Sequence, residues 1–337
     1  MPAVISWQGR QAALREGSLA ALREGTRLAL GGDKRVDVFS IIEDQRIWLM
    51  FQPLQRLYGF FAREDDASGI VVHSGHPPSL QRYTAAHEYG HFVLGHRSAL
   101  DSAQELYDPR DDPQEIAAQA FAADFLMPLP LVNRSMARLG LGDRRDLRAS
   151  DIYQLSLELG VSYRAAVNQL VALRKIRREN GDKLRKVEPQ TIKLELTEGQ
   201  PLSNPWADVW MIEQPALERR KIEMSSDDEL HIRLSEPTTA GYRWGVVHSD
   251  LADAILDKTV ASGDGQEFGA SCLRHLAWRA LEAGTREVHL ALARPWEEGN
   301  ISPLKEVRIS AHISYRGYKP GQTAASERQR ALILATA

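Results

Sequence analysis

Disulfide chemistry is the first thing this sequence excludes. Its 337 residues hold a single cysteine, Cys272, so no intrachain bridge can form, and a thiol with no partner motif beside it reads as buried and inert. Long apolar runs are missing too, none approaching the roughly eighteen residues that a membrane-spanning helix needs. The first thirty residues alternate Arg, Glu and Gln with Ala and Leu and lack the apolar centre of a signal peptide. Charge of one sign is also scarce. A net charge of −3 gives no general pull toward nucleic acid or acidic lipid. These absences point to a cytoplasmic protein with no membrane partner. With 43% hydrophobic and 26% charged residues the chain has the material for proper cores, and its length suggests two domains.

What is present is most concentrated in Thr84-Ala85-Ala86-His87-Glu88-Tyr89-Gly90-His91. A helix advances about 100° per residue, so His87 and His91 project from one face with Glu88 offset toward the same pocket. Two imidazoles with a carboxylate beside them suit zinc, which takes a third protein ligand and keeps an open position for water; the carboxylate can remove that water's proton. Helix signals agree. Pro77-Pro78 block helix upstream, Ser79 is a suitable N-cap, and the run to Leu94 contains no proline before Gly95. A second helix is expected from Asp112 at N-cap and Pro113 at N1 through Met127, stopped by Pro128. It offers Glu115 and Asp124 as third ligand. They lie half a turn out of phase, so one at most faces the metal, and Glu115 can instead close a capping box after Asp112. Residue geometry leaves that choice open. His96, past Gly95, reads as a helix-end or orienting partner, and His73 and His76 as loop residues.

Upstream, Ala12-Ala13-Leu14-Arg15-Glu16-Gly17 repeats as Ala20-Ala21-Leu22-Arg23-Glu24-Gly25, which reads as amphipathic helix punctuated by glycine. A second helix is expected over 36–43. Short apolar runs at 47–51, 57–61 and 69–72 predict a small sheet laid against the histidine helix, an α+β arrangement.

Thr-x-Ala-His-Glu-x-Gly-His followed by Glu-x-x-Ala-x-x-Phe-Ala-Ala-x-x-Leu-Met-Pro, here Glu115 to Pro128, resembles the ImmA/IrrE family of metallopeptidases, as do Val36-Asp37-Val38, Leu57-Tyr58-Gly59 and Gly69-Ile70-Val71-Val72. The resemblance spans about residues 10–175. It implies a zincin-like fold, Zn2+ at His87, His91 and Glu115, Glu88 as base, and a helix-turn-helix repressor from a stress or mobile-element response as protein substrate. Gln119 and Ala117 depart from the family, which often has Asn and an acidic residue there, so the groups orienting the ligands are expected to differ. Tyr83, Tyr107, Tyr153 and a loop histidine are unranked candidates to stabilise the oxyanion.

Residues 150–159 and 162–178 predict two capped helices joined at Gly160-Val161, resembling the helix-turn-helix segment that often completes this peptidase module. Arg174, Lys175, Arg177, Arg178, Lys183, Arg185 and Lys186 follow; they read as a solvated helix end and linker in preference to a duplex-binding surface. From about residue 188 alternation of period two appears at 191–196, 229–234, 288–292 and 307–313, predicting an all-β domain. Glu236-Pro237-Thr238-Thr239-Ala240-Gly241-Tyr242-Arg243-Trp244, then Phe268-Gly269-Ala270-Ser271, then Arg294-Pro295-Trp296 resemble the three inhibitory loops of chagasin-like cysteine-peptidase inhibitors. That likeness implies an immunoglobulin-like sandwich whose Pro237, Thr238, Thr239, Gly241, Tyr242, Arg294, Pro295 and Trp296 meet a protein partner such as a papain-like peptidase. Glu236 and the extra Ala240 depart from the usual first loop. A protein-binding module is therefore favoured over an active inhibitor. The expected division is a peptidase domain over 1–180, a linker over 181–190, the β domain over 191–320 and a tail over 321–337.

Overall fold

The computed structural model describes residues 5–55, 57–64, 67–96, 112–142, 144, 146–213, 219–237, 240–251, 254–261, 272–296 and 303–315. The chain runs through α1 (Trp7–Arg27), α2 (Val38–Asp44), β1 (Trp48–Gln52), β2 (Gly59–Glu64) and β3 (Ala67–His73) into α3 (Pro78–Leu94), the histidine helix. Pro77, not Ser79, is the N-cap and no side chain caps the helix, because proline in the first turn already has helical φ and no N–H to satisfy. The C-terminus falls as predicted, with Gly95 left-handed at φ 70°. β1 and β3 are parallel, β2 is antiparallel to β3, and the strand order is β1-β3-β2. The strand edge lies so close to α3 that a Cβ on Gly59 would sit 2.5 Å from the Thr84 side chain and 2.6 Å from the Val71 carbonyl.

On the other side of α3 lie α4 (Pro113–Leu126) and then α5 (Leu129–Arg138). The Gly17 of the duplication sits inside one unbroken α1, where it crosses α4; a Cβ there would fall 2.0 Å from the Ala117 carbonyl oxygen. Glycine here permits backbone contact between two helices and does not punctuate the first. The same crossing accounts for Ala117, which is fully buried. α1 also grips α3 through charge. The Tyr89 hydroxyl donates to Glu24, and Arg27 pairs with the same carboxylate at 2.6 Å. Burial works to raise the Glu24 pKa, but the hydrogen bonds from Arg27 and Tyr89 outweigh it and hold it low. A depressed carboxyl pKa stabilises the fold above the ordinary carboxylate range and loses that contribution as pH falls through the folded value. Glu24→Ala, which strands a buried hydroxyl, is expected to cost about 1–3 kcal/mol in urea unfolding at neutral pH, and clearly less in acid.

Four further helices follow: α6 (Ala149–Leu159), α7 (Tyr163–Ala172), α8 (Arg178–Leu184) and α9 (Pro189–Leu196). Two expectations fail here. The helix predicted over 162–178 ends at Ala172, and Arg174 turns the chain at φ 57°. The stretch 191–196, predicted as the first strand of the β domain, is helical, so 181–190 holds the end of α8 and the start of α9. Ile192 and Leu196 satisfy both periods; as i and i+4 they bury together in the first core while Leu194, which a strand would place beside them, is 39% exposed. Among the described residues no single helix is long and apolar enough to cross a membrane.

The rest is strand: β4 (Val209–Glu213), β5 (Arg219–Ser225), β6 (Glu229–Glu236), β7 (Arg243–Ser249), β8 (Leu256–Ala261), β9 (Cys272–Arg279), β10 (Gly284–Ala293) and β11 (Lys305–Ser314). They form two four-stranded sheets, β5-β11-β10-β7 and β4-β6-β9-β8. Trp210, Ile232 and Trp278 from one sheet and Ile222, Trp244, Leu290 and Ile309 from the other share a single core. Cys272 is half-buried, not buried as expected. The two halves join at α6. The Gln154 amide donates to the Val209 carbonyl at 2.8 Å and accepts from the Met211 N–H at 2.9 Å, pairing with edge strand β4 as a neighbouring strand would. The Tyr153 hydroxyl, bonded to Asp208 at 2.8 Å, and the buried Arg220–Glu158 ion pair complete the joint.

Candidate metal centre

α3 presents His87, Glu88 and His91, and glycine decides what can reach them. A Cβ on Gly90 would lie 3.0 Å from the Phe121 ring and 3.3 Å from the Ala118 carbonyl, so the glycine between the two histidines is what lets α4 lie alongside. Asp112 caps α4, accepting from the Gln114 N–H at 2.7 Å, and Pro113 starts it. One turn in, Glu115 turns to the histidines and not back to its own helix end. Its Oε2 lies 3.1 Å from His87 Nε2 and its Oε1 3.2 Å from His91 Nε2. The two Nε2 atoms are 3.2 Å apart, and one ligand atom from each of the three residues falls within 4.8 Å of the others. Asp124, the other choice on α4, faces away and accepts from Gln169 of α7 at 2.8 Å. Of the two departures from the family pattern, Gln119 is exposed on α4 and Ala117 is buried in a cluster with Ala13 of α1.

Electrostatics follow from crowding. Burial opposes the charge on Glu115, but hydrogen bonds from His87 and His91 hold its pKa well below the usual carboxylate range. Burial likewise opposes the charged His87 ring, and its hydrogen bond to Glu115 with the charges of Glu88 and Glu115 raises its pKa nonetheless. Glu88 behaves in the opposite way. Burial raises its pKa, and His87, His91 and a hydrogen bond from the Phe61 backbone only partly oppose that, while Glu115 adds to it. The cluster is thus two imidazole nitrogens and one carboxylate converging on a common point, with a second, buried carboxylate beside them. That donor set fits a divalent cation with an open coordination position and a proton acceptor next to it.

Of the three tyrosines, Tyr83 stands at the site. Its ring is stacked 6.4 Å from that of His87, and burial followed by the Glu115 charge pushes its pKa up to about 12, which keeps it a hydrogen-bond donor. Tyr153 belongs to the joint at α6, and Tyr107 lies outside the described residues. His73 and His76 stack on each other at 4.1 Å in the turn before α3. His96, buried, places Nδ1 2.9 Å from His91 Nδ1; burial and then the His91 charge lower its pKa to about 4. No signal in the sequence indicated Gln154 or Arg220, whose partners are more than fifty residues away.

In the β half, two of the three expected loops meet. Arg294 Nε donates to the Ala240 carbonyl at 3.0 Å, its guanidinium lies 4.6 Å from the Tyr242 ring centroid, and Trp296 covers Gly241 so closely that a Cβ there would fall 2.1 Å from the indole. Trp296 is 64% exposed, and Pro295 is exposed beside it. Pro237 leads into this loop, whereas Thr238, Thr239 and 268–271 lie outside the described residues. Glu236, one of the departures, is structural: its buried carboxylate accepts the Trp244 N–H at 2.8 Å.

Comparison with known proteins agrees with both halves. Residues 42–171 match the family described as the IrrE N-terminal-like domain, and residues 223–311 match the chagasin family of peptidase inhibitors. The radiation response metalloprotease IrrE of Deinococcus radiodurans is 34% identical over 95 residues, covering 27% of this chain; the match spans 28% of that relative's length. Among solved structures, a cysteine protease inhibitor from Entamoeba histolytica is 23% identical, covering 32% of this chain and 96% of its own, with a TM-score of 0.29. A transcriptional regulator from Mycobacterium tuberculosis is 14% identical, covering 79% of this chain and 76% of its own, with a TM-score of 0.33.

Proposed function

We propose that this protein is a zinc-dependent endopeptidase whose ligands are His87, His91 and Glu115. The observation that supports it most is the convergence of those three side chains beside a buried fourth, Glu88, which the cluster itself does not need. Zinc held there would polarise the scissile carbonyl and lower the pKa of a bound water. The remaining work falls to the chain. Glu88 takes the water proton and returns it to the departing amine, and its raised pKa suits both directions of that transfer. Tyr83 donates to the oxygen on which charge develops. Phe61, through its backbone N–H, holds the Glu88 carboxylate in place.

The substrate class we infer is a helix-turn-helix repressor, resting on the likeness to the ImmA/IrrE family. The helices α6 and α7 complete the peptidase module, and β4 to β11 form an immunoglobulin-like sandwich of chagasin type that recognises the substrate or another protein. The Gln154 joint lies at the start of β4, and the loops of Ala240 and Trp296 follow the far ends of β6 and β10. A role in substrate selection is therefore favoured over loops that cover the cleft. The test is cleavage of purified repressors with and without chelator. Cleavage that stops with chelator and returns with zinc is expected; cleavage indifferent to chelator would sink the reading.

The paired loops support a second reading, a cysteine-peptidase inhibitor fused to the metallopeptidase. It predicts nanomolar inhibition of papain by the full chain and a loss of at least about tenfold in Trp296→Ala, since exposed indoles at interface centres carry disproportionate binding energy. Absence of inhibition by the wild type at micromolar concentration returns the loops to a binding role.

A further inference from the structure

The reading of His87, His91 and Glu115 as a metal centre leaves one buried imidazole unexplained. Five residues past His91, a continued helix would point His96 well around the axis from it. The helix does not continue. Gly95 at φ 70° reverses the chain, and the His96 N–H closes the turn on the His91 carbonyl at 3.0 Å. The His96 ring is thereby brought back onto that of His91, Nδ1 to Nδ1 at 2.9 Å, with the two residues 6% and 9% exposed.

We propose that His96 is a positioning residue that accepts the Nδ1–H of His91 and so fixes the tautomer and ring plane in which His91 Nε2 offers its lone pair to a metal. This rests on the metal-centre reading and adds to it. Two facing ring nitrogens at this distance need one proton between them. A ligating Nε2 must be bare, so the His91 proton belongs on Nδ1, and His96 Nδ1 must be the acceptor. His91 Nε2 and Glu115 Oε1, 3.2 Å apart, converge with His87 on the point a metal would occupy, where the metal would take the place of the proton between them. His87 has no such help: its Nδ1 is buried without a hydrogen-bond partner among the described residues. On the Nδ1 side of the two rings, the His91–His96 contact is thus the orienting hydrogen bond that the described residues supply.

The experiment compares full-length wild type, His96→Ala and His96→Asn for zinc affinity, by competition with a chromophoric chelator, and for unfolding in urea. Asparagine is chosen because its Oδ1 stands near the position of histidine Nδ1 and can only accept. His96→Ala is expected to bind zinc roughly 10–100-fold more weakly, and His96→Asn to recover most of the loss. In nitrogen-15 spectra of the zinc-loaded wild type, His91 should carry its proton on Nδ1. Affinity in His96→Ala within about twofold of wild type, or Asn no better than Ala, overturns the proposal while leaving the metal centre intact. If His96→Ala fails to fold, the asparagine variant and the wild-type spectrum decide, and a His91 proton on Nε2 in that spectrum overturns it. A wild type that binds no zinc removes the metal-centre reading itself, and this inference with it.

Discussion

Glu88→Gln is expected to abolish proteolysis in practice, lowering kcat by roughly 10²–10⁴-fold, while zinc content stays at the wild-type level. The substitution keeps shape and keeps an oxygen to accept from the Phe61 N–H, so the wall of the site is preserved. It removes only the capacity to take a proton. The residue is 5% exposed and is not among the three clustered ligands; burial raises its pKa, so its charge is disfavoured in the fold, and Glu115 remains as the counter-charge to His87 when it is removed. The melting temperature of the metal-free variant should accordingly be no lower than that of wild type, which separates a chemical loss from an unfolded protein. A variant that retains activity within tenfold of wild type would mean that another group is the base.

The second large effect is predicted at Gly17, far from any chemistry. Replacing a mid-helix glycine with alanine ordinarily gains about 0.5–1 kcal/mol by helix propensity. Here the new Cβ would stand 2.0 Å from the Ala117 carbonyl oxygen and 2.9 Å from the Phe121 nitrogen, and both are backbone atoms of a helix that cannot swing aside. α1 and α4 would have to separate. Gly17→Ala is expected to destabilise the protein, and Gly17→Leu to do so by more than about 4 kcal/mol in urea unfolding. Because α4 carries Glu115, zinc affinity should fall in any Gly17 variant that still folds. A gain in stability for Gly17→Ala, as propensity alone would give, contradicts the close crossing.

These two positions illustrate how unevenly the sequence discloses its structure. His87, Glu88 and His91 are legible because their chemistry and their spacing are local: a few consecutive residues on one helix define a face. Glu115 was half legible. Its place in the first turn of α4 served a capping box and a metal ligand equally, and only the tertiary position of α4, set by Gly90 and Gly17, separates them. Gly17 itself was misread as punctuation, since a glycine that serves a partner helix looks the same in sequence as one that ends its own. The segment 191–196 was misread because Ile192, Leu194 and Leu196 alternate while Ile192 and Leu196 also stand one helical turn apart, and burial against the first core settled the period. His96 lies out of phase by helical counting and meets His91 only because Gly95 reverses the chain. The Gln154 joint left no trace at all, as an amide that pairs with a strand edge has no periodicity to betray it.

The most direct test of the metal centre is the zinc content of the purified full-length chain, measured beside Glu115→Ala and Asp124→Ala. One zinc per chain is predicted for the wild type and for Asp124→Ala, with near-complete loss in Glu115→Ala. Full occupancy in Glu115→Ala would contradict the account, since the carboxylate that the fold brings to His87 and His91 would then be holding nothing but those two histidines.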